Sequence, residues 1–430
     1  MSAPLSRPFT RSETDSTTVK LSSVFSGFAV LALGFGVQLA QGFFQTKALA
    51  AVLVAIALSA IAVASPRISV ELPFGARAIR WRVYVAISIV YLLLGFASLR
   101  THHPSIDVLV YENDSAHTLL RGQDPYAIGV THQVFGGSPG VIYYGEGIFV
   151  DGRVRVGFPY PPLTLFWVLP GYLVGDARYS FLLAVFLTSL LIFLLSPDLN
   201  GLIAAGLLLF VPETFFVLTM GWTEPLMLVA LAITIFSACK APRMLPFALG
   251  LFLASKQYSL LAVPLAALLL PTFSWKRYLS LVIEGGAFAA AITVPFAFWD
   301  HHGFWWSLVT FQVAAPFRPD ALSISALLAR HGLSPVPQWL IVAAVLATTV
   351  FALTRSRRAP SGFAASLALV SLVFFVANKQ AFCNYYFFSA GALCLSIASA
   401  GRDPSTASFT LARQENPVPG ARSRAQPSSQ

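Results

Sequence analysis

The chain has 430 residues, of which 56% are hydrophobic and only 11% charged, with a formal net charge of +10. Too few polar residues remain to cover a soluble domain, and apolar runs of about 17–22 residues recur at the length of a bilayer-crossing helix. The pattern lacks the alternating short segments of an outer-membrane barrel, and no basic stripe is interleaved with exposed aromatics, which argues against nucleic-acid binding.

Residues 1–22, rich in Ser and Thr, read as a cytoplasmic tail. The apolar run 24–44 is long for a signal-peptide core, so it is expected to be a retained first transmembrane helix. Further spans are expected at 47–64, 83–98, 177–196, 201–219, 223–239, 244–254, 257–270, 278–299, 336–353, 363–377 and 381–400. That makes an all-α polytopic protein of about 12 transmembrane helices. Residues 23–400 form one membrane domain, and 401–430, rich in Pro, Ser, Ala and Arg, form a disordered cytoplasmic tail. Cys239, Cys383 and Cys394 lie in or beside apolar runs without metal spacing, so they read as small membrane-helix residues.

Basic clusters test this layout. Arg67, Arg77, Arg80 and Arg82 share one connection, and Lys240 with Arg243 another. Lys276 with Arg277, and Arg355 with Arg357 and Arg358, mark two more. All four face the cytoplasm only if an even number of helices separates them. The piece 161–175, with Pro170 inside it, is then a re-entrant or interfacial helix. Residues 244–270 become a hairpin with Lys256 at its outer tip, or a single kinked helix. Both termini fall in the cytoplasm, and loops 100–160 and 300–335 lie outside.

The first outer loop carries DVLVYENDSAHTLLRGQDPY from Asp107 to Tyr126. Read as a helix, Asp107, Tyr111, Asp114, Thr118 and Arg121 share one face, with Leu109, Ala116 and Leu120 opposite. Glu112 breaks the pattern and is expected to face away. Two readings stay open. In one the polar face turns towards a cavity from the outer leaflet; in the other this is an ordinary solvated helix whose Arg121 pairs with Asp114 or Asp124.

The same stretch resembles the first outer-loop motif of glycosyltransferase family 87, a branch of the GT-C superfamily. Asp107, Tyr111, Ala116, Leu120, Gly122 and Tyr126 occupy the motif positions. The aromatic–Pro–Pro–Leu segment at Tyr160, Pro161, Pro162 and Leu163 is similar to a second family feature. So are SKQYSLLAVPL and NKQAFCNYYFF, which are similar to lysine- and tyrosine-bearing outer helix ends. The resemblance implies a GT-C-like fold and a glycosyltransferase that takes a sugar, mannose or another hexose or pentose, from a polyprenyl-phosphate donor. The acceptor is a lipid or glycan, and the reaction lies at the outer face of the cytoplasmic membrane. It implies Asp107 as general base and no cofactor or metal. Tyr111, Asp114, Tyr126, Tyr160, Glu224 and Tyr385 are then the expected acceptor- and sugar-binding residues.

The chemistry is coherent on its own terms. An acceptor hydroxyl becomes a nucleophile as a carboxylate takes its proton, and a lipid-phosphate leaving group needs cations at headgroup depth. Lys256 and Lys379, each followed by a glutamine (Gln257 and Gln380), are the leading phosphate ligands, with Gln257 and Arg318 beside them. Either lysine also fits a membrane-edge anchor. Glu224 either caps its helix or lines a polar cavity. Adjacent His301 and His302 rarely converge on one ion, so they do not suggest a metal site. The competing function is a transporter or flippase for a polyprenyl-linked substrate, which should show an internal repeat, and none is found.

Overall fold

The computed structural model describes residues 16–36, 45–66, 68–73, 77–104, 106–129, 144, 147–150 and 153–402. Most of both expected tails, and most of the stretch 130–152, lie outside the described residues. The described chain is almost wholly helical. Its strands form two short antiparallel pairs, Ser16–Lys20 with Ser69–Pro73 and Phe149–Val150 with Arg153–Val154. The expected tail thus contains a paired strand, and helix starts at Leu21.

Among the described residues, six helices are long and apolar enough to cross a membrane: Thr46–Ala64, Arg77–Thr101, Arg178–Leu195, Trp275–Trp299, Gln338–Arg355 and Pro360–Ala377. A seventh arises if Leu199–Phe210 and Pro212–Met220, bent by 48°, count as one span. Proline explains the bend, because Pro212 cannot supply the N–H that a continuous helix needs. Other expected spans appear as shorter apolar helices, among them Leu21–Gly36, Pro242–Leu253 and Gln257–Leu269. Pro162–Leu173 is also short, as its internal Pro170 and the following Gly175 (φ +107°) require.

Packing sorts the helices into centre and rim. Pro360–Ala377 is 83% buried, whereas Trp275–Trp299 and Gln338–Arg355 are 17% and 11% buried and turn large apolar side chains outwards. Gly391 lets Cys383–Ala400 approach Glu224–Lys240 closely, since a Cβ there would meet Leu228 Cδ2 at 2.2 Å. At one end of the bundle Asp107, Lys256 and Lys379 line one cavity and Glu224 is bonded to Lys256; towards the other, Arg77 opens the helix that runs to Thr101, Lys240 closes the helix that Glu224 opens, and Arg355 precedes the helix that runs to Ala377.

A single arginine ties the first of these ends together. Buried Arg178 forks onto Asp176 and donates to His102 O at 2.7 Å, Leu99 O at 3.0 Å and Thr219 O at 3.2 Å. It thereby satisfies carbonyls at the ends of two different helices. Arg178→Ala should cost about 3–5 kcal/mol, because it leaves a carboxylate and several carbonyls unpaired. Arg178→Lys should recover only part of this, as an ammonium lacks the planar fork. Thermal unfolding of the detergent-solubilised protein measures both.

Candidate active site

Three breaks in helical backbone meet at the Lys379 end of the bundle and surround a cavity of about 670 Å³. Irregular backbone at membrane depth is stable only when its polar groups are paired, and each break shows how. At the first, Gly221 (φ +73°) ends one helix, and Glu224 and Pro225 open the next. At the second, Lys256 is extended between Leu245–Leu253 and the 3-10 turn Gln257–Leu261. Thr164 Oγ1 donates to Ser255 O at 2.5 Å, and Ser259 Oγ donates to Leu253 O and Lys256 O at 2.9 and 2.6 Å. Gln257 Nε2 reaches Pro159 O at 2.8 Å. The third break, at Asn378 to Phe382, is backed by residues 318–325: Leu322 N donates to Ala381 O at 2.7 Å and Ser325 Oγ to Ala377 O at 2.9 Å.

One wall carries a carboxylate. Asp107 opens the helix Asp107–Leu120; its Oδ2 accepts from Tyr144 OH at 2.5 Å and its Oδ1 from Val108 N at 2.8 Å. Burial, with the nearby Tyr111 and the charge of Asp107, holds the Tyr144 phenol far above its ordinary range, so Tyr144 remains the donor. Tyr144 stacks on Phe311, with centroids 6.2 Å apart.

Three cations occupy the rest of the lining. Lys256, 5% exposed, donates to Glu224 Oε1 and to Thr223 Oγ1 at 2.9 Å. Its ammonium lies 5.0, 5.5 and 5.6 Å from the ring centroids of Tyr160, Tyr258 and Tyr385, a cation–π arrangement. Arg318 forks onto Asp320 at 2.8 and 2.7 Å and lies 5.0 Å over Phe382. Burial alone would lower the Arg318 pKa, but the bonds to Asp320 outweigh it and raise it. Lys379 Nζ donates to Val313 O at 2.8 Å and Ala315 O at 2.6 Å, and burial lowers its pKa. Phe311 and Gln312 reach the cavity from a helix that follows a π-helical turn, Trp306–Thr310. This turn is anchored where Ser307 Oγ accepts from Gly157 N at 2.9 Å.

Of the residues singled out in the sequence, Asp107, Tyr111, Tyr160, Lys256, Gln257, Arg318, Lys379 and Tyr385 line this cavity. Asp114, Tyr126 and Glu224 do not. Asp114 lies further along its helix, and Arg121 is exposed. Tyr126 is fully buried among Phe158, Phe296 and Phe304, and its OH donates to Tyr160 O at 2.7 Å, so it holds a cavity residue from behind. Glu224 lies behind Lys256. Asp300 caps the short helix His301–Trp305 by accepting from His302 N and Gly303 N at 3.0 Å, while His302 is exposed. Sequence reading missed Tyr144, Trp222, Tyr258, Gln312 and Asn378. The repeated Lys-Gln pair was the available signal for Gln380, which also lines the cavity.

Glu112, expected to face away, does not line the cavity. It is 0% exposed, and neither carboxyl oxygen has a hydrogen-bond partner among the described residues. The helix packs on more than one side, so a residue off the polar stripe is also buried. The site is therefore a cavity lined by the carboxylate of Asp107, three compensated cations and several aromatic rings, at one end of an almost wholly helical, membrane-compatible bundle.

No family model and no curated protein matches the chain. Two solved structures of ArnT from Cupriavidus metallidurans are similar to it, one bound to undecaprenyl phosphate and one in the apo state. Identities are 18% and 17%, and the TM-score is 0.48 for each. The matches cover 76% and 77% of this chain but 60% and 61% of those chains.

Burial holds the Glu112 carboxyl well above its ordinary value of 4.5, against the opposing pull of Lys256; Glu224 and Asp176 push it further up. A carboxyl raised on folding contributes stability that is whole below its unfolded pKa, here about pH 4.5, and is lost as pH rises to the folded value. Between pH 5 and 8 the wild-type protein should thus lose stability more steeply than Glu112→Gln, by at most about 1.4 kcal/mol per pH unit. Melting temperatures across that range check it.

Proposed function

We propose that the protein is a membrane glycosyltransferase that moves a sugar, mannose or another hexose or pentose, from a polyprenyl-phosphate donor to a lipid or glycan acceptor. The observation that carries this reading is a single cavity with an accessible carboxylate on one wall and three cations on the others, at the end of a bundle of apolar helices. The family-87-like motif that contains Asp107 supports it.

Asp107 takes the proton of the acceptor hydroxyl as its oxygen attacks the anomeric carbon. The bond from that carbon to the phosphate oxygen breaks, and the lipid phosphate leaves with the electron pair. Lys256, Lys379 and Arg318, with Gln257 beside them, stabilise the phosphate's growing charge. The rings of Tyr160 and Tyr385 offer faces on which a sugar can stack, and Tyr111 lies beside the base. Tyr144 orients the carboxylate through its hydrogen bond.

The basic helix ends lie away from the cavity, which supports a cavity open to the outer compartment and termini in the cytoplasm of an inner-membrane protein. In a Cys239→Ser background, a cysteine at His331 should react with an impermeant maleimide added outside intact cells. A cysteine at Arg277 should react only after permeabilisation. The opposite pattern inverts the orientation and removes the outer-face reaction.

Release of polyprenyl phosphate from polyprenyl-phosphate mannose, by purified protein given candidate lipid acceptors, tests the activity. Asp107→Asn should lower turnover roughly 10²–10⁴-fold with melting temperature unchanged, since Asn keeps the shape but accepts no proton. Asp114→Asn should lose much less. Near-normal turnover in Asp107→Asn assigns the base elsewhere.

A further inference from the structure

Glu224 is fully buried and forms no part of the cavity wall, yet it is bonded to the most enclosed of the cavity's three cations. Its Oε1 accepts from Lys256 Nζ and from Tyr258 OH, the latter at 3.1 Å. Lys256 Nζ also donates to Thr223 Oγ1 at 2.9 Å. An ammonium has three N–H bonds. Two are directed at adjacent residues of one helix start, which leaves one for the cavity.

A lysine stem is flexible, and an ammonium gains by reaching water. Holding this one at 5% exposure needs a fixed anion. Glu224 is such an anion, because its backbone is pinned between Gly221, which closes the preceding helix in the left-handed region, and Pro225 in the first turn of its own helix. The other nearby acid, Glu112, is held towards its neutral form by burial. The remaining neighbours are the rings of Tyr160, Tyr258 and Tyr385, which favour a cation without fixing its direction.

We infer that Glu224 is a positioning residue for the lipid-phosphate donor: it fixes the Lys256 ammonium on the cavity floor and touches neither sugar nor acceptor. This rests on the reading of Lys256 as a donor contact. Two carboxylates at the site thereby have separate tasks, Asp107 at the acceptor and Glu224 behind the donor's counter-charge.

The test is binding rather than turnover, with farnesyl phosphate as the probe and farnesol as the uncharged control, measured by calorimetry on the full-length protein in detergent. Glu224→Gln should weaken farnesyl phosphate about 10-fold, the scale of one charge-assisted contact, with farnesol affinity unchanged. Glu224→Asp, which keeps the anion, should stay within about 3-fold. Lys256→Met should weaken the probe about 10- to 100-fold, and adding Glu224→Gln to it should change nothing more, because the carboxylate acts through the lysine. Should Glu224→Gln fail to fold, Thr223→Val, which removes the second acceptor of the same ammonium, should weaken the probe about 3- to 10-fold. Additive losses in the double variant, or wild-type binding in Glu224→Gln, overturn the inference while leaving the donor reading intact. Wild-type binding in Lys256→Met overturns the reading of that lysine as a donor contact, and the inference with it.

Discussion

A lysine and a glutamate taken out of water at the end of an apolar bundle set the terms for everything around them. Removing such a pair from solvent costs several kcal/mol per ion, and their attraction offsets this only with good geometry and further hydrogen bonds. The fold supplies both. Two helix breaks bring Lys256 and Glu224 together, Thr223 and Tyr258 each add a hydrogen bond to the pair, and hydroxyls of Thr164, Ser255 and Ser259 satisfy the backbone that the breaks expose. Continuous helices would place neither residue here.

The same logic extends around the cavity. Each cation is already partnered: Lys256 by Glu224, Arg318 by Asp320, and Lys379 by the carbonyls of Val313 and Ala315. In the proposed reaction, a phosphate arriving among them would meet donors whose directions are set in advance, which is how a polar site stabilises developing charge without reorganising. Asp107 differs: its partners are a phenol and a backbone N–H, neither of which carries a charge. In the proposed reaction, the cavity separates the side that would accept a proton from the side that would stabilise charge.

Much of this was legible in sequence, for identifiable reasons. Lys256 and Lys379 announce themselves as lone cations between apolar runs, and the basic clusters at the other helix ends follow from the cost of moving charge across a membrane. Asp107 was found through motif position rather than periodicity. What escaped depends on contacts between distant segments. Tyr144 comes from a stretch without hydrophobic period and reaches Asp107 across 37 positions. The burial of Glu112 escaped because a helical wheel shows which residues share a face but not how many faces are covered. Tyr126 fits its motif position, yet its ring packs in a core while its hydroxyl supports Tyr160. Helix lengths were overestimated where 3-10 turns and the bend at Pro212 shorten regular segments that hydropathy alone reads as continuous.

The Arg178 clamp also imposes an order on biogenesis. Asp176 leaves the ribosome two residues before Arg178, and the segment ending at His102 is already made, so the charge is neutralised locally and three of its four partners are at hand. The last, Thr219 O, is 41 residues downstream and arrives only when the bent helix pair has been synthesised and inserted. Until then the guanidinium keeps an unmet donor, a latch held open. Completion of the later helices closes it, so the clamp on the early segments is complete only once the segment that leads directly into Glu224 is in place.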